Sequence, residues 1–299
     1  MTSRDLPTGR PSLADLVELV RLPAVATVPG DSLVGAALAC RDRAIPVRAA
    51  VALPTSSSLL YLAGMALNDY ADREVDAVER PHRPIPSGRV SPQQAALLAH
   101  VLTGAGIAVA ALAGRRSLKV AVALAAAVYA YDLALKDTPA GPAAIAACRV
   151  LDVLLGGTAG RMRYAVPAAA AIGAHTVLLS TVSRREVEGS TPEFARRATA
   201  AAGAVAGFAS AAVMVSARRH PLDGLGLMAA YAGSQLREGR AAIADPGPEA
   251  LQRMVGQGVL AIIPLQAAFL VAAGRNRLGA AVAAAWPMAR RLARRRAVT

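Results

Sequence analysis

Ten apolar stretches separated by arginine-rich connections constrain this chain more than any other feature. Several approach the roughly 20 residues that a helix needs to cross a bilayer, where every backbone amide must be satisfied within its own segment. With 55% hydrophobic residues and a mean hydropathy of +0.40, the chain leaves no room for a separate soluble domain. The expected fold is all-α, a multi-spanning transmembrane bundle of about nine helices around a central cavity, with residues 1–299 forming one domain. The expected segments are Leu13–Ala39, Val47–Val78, Pro92–Ala113, Leu118–Leu135, Gly141–Gly157, Tyr164–Val182, Ala195–Ser216, Leu222–Gln235 and Leu251–Ala273. Pro29, Gly30 and Asp31 interrupt the first, as in a broken helix lining a cavity. The tenth stretch, Leu278–Ala289, is short and contains Pro287, which leaves open a re-entrant piece, an interfacial helix or a further span.

The second segment ends in the densest polar cluster of the chain, NDYADREVDAVERPHRPIPSGR over residues 68–89. On a continuous helix, with Asn68 as zero, Asp72 falls at about 40°, Asp76 at about 80° and Asp69 at about 100°. One amide oxygen and three carboxylates therefore share a face. Like charges so close favour a cation between them, and hard oxygen ligands suit Mg²⁺. Arg80, His82, Arg83 and Arg89 follow among Pro81, Pro84, Pro86 and Gly88, which stop the helix and stiffen a loop of phosphate donors. The plainer alternative is a solvated helix end with a basic loop.

The pattern N-D-x-x-D-x-x-x-D then R-P-x-R-P-I-x-S-G, at Asn68, Asp69, Asp72, Asp76, Arg80, Pro81, Arg83, Pro84, Ile85, Ser87 and Gly88, resembles the first signature of the UbiA superfamily of intramembrane prenyltransferases. The resemblance implies a helical membrane enzyme that uses Mg²⁺ to bind a prenyl diphosphate and pass its prenyl group to an acceptor. It also implies roles elsewhere. Arg21, in an Arg-Leu-Pro near the first helix, corresponds to a family arginine that faces the active site; a positive-inside role is the alternative. Tyr131 and Lys136 resemble a Y-x-x-x-x-K element whose lysine contacts the diphosphate, with Asp132 a departure from the small polar residue expected there. Arg149 and Asp152, at i and i+3 in an apolar run, face the bundle interior, either as a mutual ion pair or as a substrate contact.

The family's second acidic motif belongs at Ser183–Gly189, beside Arg184. Its two aspartates four residues apart are absent. Glu186 and Glu188 stand instead about 200° apart on a helix, so only one points inward comfortably, with Glu186 the first choice and Glu188 the second. This form resembles a divergent bacterial branch, the EboC-like proteins, and leaves open one Mg²⁺ or two.

The net charge of +13 invites a nucleic-acid partner, but no basic helix interleaved with aromatics is present. Anionic lipid and a prenyl diphosphate are the expected partners, with the C-terminal run Arg290, Arg291, Arg294, Arg295 and Arg296 at lipid phosphate. Residues 1–12 lack the layout of a cleavable signal. The expectation is an integral protein of a bacterial cell membrane, its site facing the cytoplasm. Cys40 and Cys148 lack metal or disulfide spacing and read as packing residues. A degenerate isoprenoid-binding or transport protein without turnover is the alternative, and the acceptor is not legible.

Overall fold

A computed structural model describes residues 11–22, 28–217, 222 and 224–296. Pro23, His220 and residues 1–10 lie outside the described residues, as do the side chains of Arg294, Arg295 and Arg296. Among the described residues the chain is all-helical. The twelve α-helices are α1 Leu13–Leu19, α2 Pro29–Ala39, α3 Val47–Ala71, α4 Arg73–Glu79, α5 Pro92–Ala113, α6 Arg115–Ala130, α7 Gly141–Gly157, α8 Val166–Ser183, α9 Pro192–Ser216, α10 Leu225–Ala244, α11 Pro248–Ala272 and α12 Asn276–Arg296. Among the described residues six helices are long and apolar enough to cross a membrane: α3, α5, α8, α9, α11, and α6 with its π-helical continuation Tyr131–Leu135.

Three expectations are corrected. The described residues of the first segment hold two short helices, and Pro29 opens α2, since the first helical position needs no N–H. The second breaks at Asp72, whose φ of −86° and ψ of 3° end α3 and start α4. The eighth runs past Gln235 to Ala244 and so carries Arg237, Glu238 and Arg240 on α10. The tenth stretch, left open above, is a full helix, because Leu278, Val282, Trp286 and Ala289 recur at helical spacing and pack against the main core.

Local chemistry accounts for several ends. Ser91 and Gln94 form a reciprocal capping box at 3.1 and 2.9 Å that starts α5. Small residues then set how close the helices come. A Cβ at Gly156 of α7 would strike the carbonyl of Ser32 on α2, and one at Gly35 the carbonyl of Val153. Ser56 of α3 donates to Gly106 O of α5 at 2.8 Å, a buried bond between neighbouring helices. Val28 at the start of α2 and residues of α3, α6 and α7 line a cleft, while Phe269, Tyr231 and Ile172 fill the core of the other half.

Candidate active site

The end of α3 meets a ring of cations. Asp69, 4% exposed, accepts from Arg21 at 2.8 Å and from Arg83 at 3.3 Å. Asp76, 1% exposed, accepts from Arg83 at 2.6 Å and from Arg80 at 3.3 Å. Asp72 pairs with Lys136, and Asn68 donates to Asp132 Oδ1 at 3.3 Å while Arg21 reaches its oxygen at 3.4 Å. The helix break divides the acids that the 100° spacing puts on one face. Asp69 and Asp76 share Arg83, and Asp72 turns to the fourth segment.

The basic loop is held from beneath. Ile85 and Val90 are buried beside Leu19 and Leu67, and Val90 N bonds Pro84 O at 3.0 Å. Gly88 supplies the positive φ of 76° that closes the turn. Arg89 is corrected from the phosphate donors: it bonds Asp15 and Glu18 of α1 at 2.7 Å each and so clasps that helix to the loop. The Ser12 hydroxyl and then Arg89 hold the Asp15 carboxyl below its usual range, and Arg89 holds that of Glu18 there. Arg21 follows directly from α1 with φ 49°, a conformation that costs an arginine energy and that the ion pair with Asp69 supports.

Across the rim, Arg184 donates to the carbonyls of Lys136 (2.7 Å) and Thr138, tying the loop after α8 to the lysine's turn. Glu186 is half-buried, and burial pushes its carboxyl above the usual range against the opposing pull of Arg80. Glu188 is exposed. Below the rim opens a cleft of about 630 Å³ including its mouth, walled by Leu60, Met65, Leu124 and Val128 and reaching Tyr131 and Asp132 at the rim end. Its far end holds Arg149, Asp152 and Ser57. Arg149 pairs with Asp31 of α2 at 2.9 Å, an aspartate further bonded by Gln266 at 2.7 Å, and Asp152 accepts from Ser57 at 2.8 Å. The mutual Arg149–Asp152 pair is thus replaced by a partner 118 residues away.

Sequence reasoning assigned no site role to Asp31, Asp132, Ser57 or Gln266. An aspartate inside an apolar run was the available signal for the first two. As for a metal, the oxygen donors Asn68, Asp69, Asp72 and Asp76 are of the type Mg²⁺ takes. Among the described residues no three acids, histidines or cysteines converge on one point, because each carboxylate already holds a guanidinium or ammonium. Four cations (Arg21, Arg80, Arg83, Lys136) against three acids leave the rim near neutrality. A multiply charged diphosphate therefore fits best when a divalent cation arrives with it, and the donor set suits that cation.

Residues 32–215, more than half of the chain, match the sequence model of the UbiA prenyltransferase family. The chain belongs to this family. Among relatives, digeranylgeranylglyceryl phosphate synthase of Methanopyrus kandleri is 43% identical over 90 residues, covering 30% of this chain and 33% of that protein. The enzyme of the same name from Methanothrix thermoacetophila is 37% identical over 150 residues, covering 48% and 54%. The chain thus spans a third to about half the length of these curated relatives. A UbiA homolog from Archaeoglobus fulgidus, solved with GPP and Mg²⁺, superposes with a TM-score of 0.58 at 15% identity over 90% of this chain and 99% of that one, which is a likeness of fold. Within the UbiA family match fall every rim acid and Lys136, while Arg21 lies before it.

Proposed function

We propose that this chain, acting as one domain over residues 1–299, is a Mg²⁺-dependent prenyltransferase. It would move a prenyl group from a prenyl diphosphate to an acceptor within the membrane. The observation that carries the reading is the rim itself: acids of α3 and α4 and the cations Arg21, Arg80, Arg83 and Lys136 converge over the mouth of an apolar cleft. The names of the relatives and the ligands of the Archaeoglobus structure support the same chemistry.

Arg83 and Lys136, with Arg21, Arg80 and Arg184 near, bind the diphosphate and stabilise the charge that grows on it as its bond to prenyl C1 breaks and the electron pair leaves with oxygen. Asn68, Asp69, Asp72 and Asp76, with Glu186 across the rim, would hold Mg²⁺, which when bound supplies positive charge to the departing diphosphate. Glu188, being exposed, is the weaker ligand of the two glutamates. Leu60, Met65, Leu124 and Val128 keep water from the allylic cation, and Tyr131 presents its ring beside them. An acceptor lone pair then forms the new bond to C1, and its proton is lost to the diphosphate or to solvent. The rim faces the cytoplasm of a bacterial cell in this reading, supported by a small excess of Lys and Arg on its side.

The test is Asp72→Ala in membranes given labelled geranylgeranyl diphosphate. Mg²⁺-dependent transfer and diphosphate release should vanish while protein level holds. Unchanged turnover would refute the assignment, and wild-type binding without release would favour the isoprenoid-binding alternative.

A further inference from the structure

The far end of the cleft has a chemistry of its own. Asp152 is 6% exposed, and its Oδ2 accepts from Ser57 at 2.8 Å. Its Oδ1 is buried, has no hydrogen-bond partner, and belongs to a residue that lines the cleft. A carboxylate oxygen left unpaired away from water is costly, so the position is built to receive a donor. The only function of an apolar tail there would be to bury that oxygen further, which makes this end wrong for a prenyl chain and right for a polar head. Arg149 does not supply the missing donor, since its Nε and Nη2 both engage Asp31 at 2.9 and 3.3 Å. With Arg149 committed to Asp31, no other Lys or Arg among the described residues lining the cleft is left to pair with a carboxylate or phosphate.

Ser57 stands eleven residues before Asn68 on α3, so about 16 Å of helix separates this pole from the rim. We infer that Asp152 and Ser57 hold the acceptor by its hydroxyl groups, and that the acceptor's head is an uncharged, hydroxyl-bearing molecule rather than a carboxylate or phosphate. This assignment rests on the transferase reading and names the substrate class for the same cleft.

Membranes from an expressing strain are incubated with ¹⁴C-labelled geranylgeranyl diphosphate, and the labelled products are identified by mass spectrometry for wild type, Asp152→Asn and Ser57→Ala. Binding of the same diphosphate to purified protein is measured in parallel. The product should carry free hydroxyls and neither carboxylate nor phosphate. Asp152→Asn should lower transfer about tenfold or more, and Ser57→Ala by a smaller factor, with diphosphate affinity changed less than about twofold. An anionic head on the product overturns the inference and leaves the transferase reading standing. An Asp152→Asn that loses the diphosphate as well does the same, whereas a wild type that binds the diphosphate yet alkylates nothing overturns the acceptor inference and the transferase reading together. Failure of wild type to bind the diphosphate at all sinks the transferase reading, and the acceptor assignment with it.

Discussion

Arg83→Ala separates the two jobs assigned to the rim. The guanidinium bonds Asp76 at 2.6 Å and Asp69 at 3.3 Å, and its side chain is only 20% exposed. Stranding a buried charge costs about 3–5 kcal/mol. Here Asp76 keeps Arg80 at 3.3 Å and Asp69 keeps Arg21 at 2.8 Å, so neither carboxylate is stranded. The expected loss of stability is about 2 kcal/mol, the size of one hydrogen bond to a charged group. The cost to turnover is larger, about 10²–10³-fold, because a preorganised donor to the leaving diphosphate is gone. Divalent-cation affinity should move the other way, since Asp69 and Asp76 lose a competitor for their oxygens. Diphosphate release from labelled geranylgeranyl diphosphate gives turnover, and the Mg²⁺ dependence of thermal unfolding of the solubilised protein gives affinity. Turnover within about threefold of wild type, or weaker Mg²⁺ binding, would refute the reasoning.

Glu186→Gln should lower transfer about tenfold and Glu188→Gln hardly at all. With its carboxyl held above the usual range, Glu186 loses its charge as pH falls at a higher pH than an ordinary glutamate does. Wild-type activity should therefore show an acid limb above pH 4.5 that Glu186→Gln flattens, and identical profiles would count against its role. Gly156→Val drives side-chain atoms into the Ser32 carbonyl and should destabilise the bundle by about 3 kcal/mol or prevent its accumulation, as a melting curve will report. Tyr164, hydrogen-bonded by Arg163 and Arg161, has its phenol pulled down to about 8. Tyrosinate absorbance should titrate there, with Arg163→Ala moving the transition toward pH 10.

Local signals made much of the molecule legible. Ser91-Pro92 and Gly141-Pro142 mark helix starts by chemistry that involves only neighbours in sequence, and α5 and α7 begin where those residues stand. The apolar runs and the acid-and-arginine signature of residues 68–88 pointed to a membrane bundle and to its polar rim for the same reason. Signals of that kind are weaker where a helix continues through charge. Arg237, Glu238 and Arg240 look like a loop until Glu238, buried to 7% exposure, is found paired with Arg237 on α10.

Partnership was a matter for the tertiary structure alone. Asp31 reads as a helix interruption, yet it is the counter-charge of Arg149 and the acceptor of Gln266, 118 and 235 residues away. Lys136 meets Asp72 rather than an open site, and Arg89 leaves the phosphate loop for α1. Hydropathy and hydrogen bonding within one turn decide that a helix forms and where it caps. Which buried charge answers which depends on the approach of whole helices, here set by glycines such as Gly35 and Gly156, and no spacing along a single segment encodes that approach.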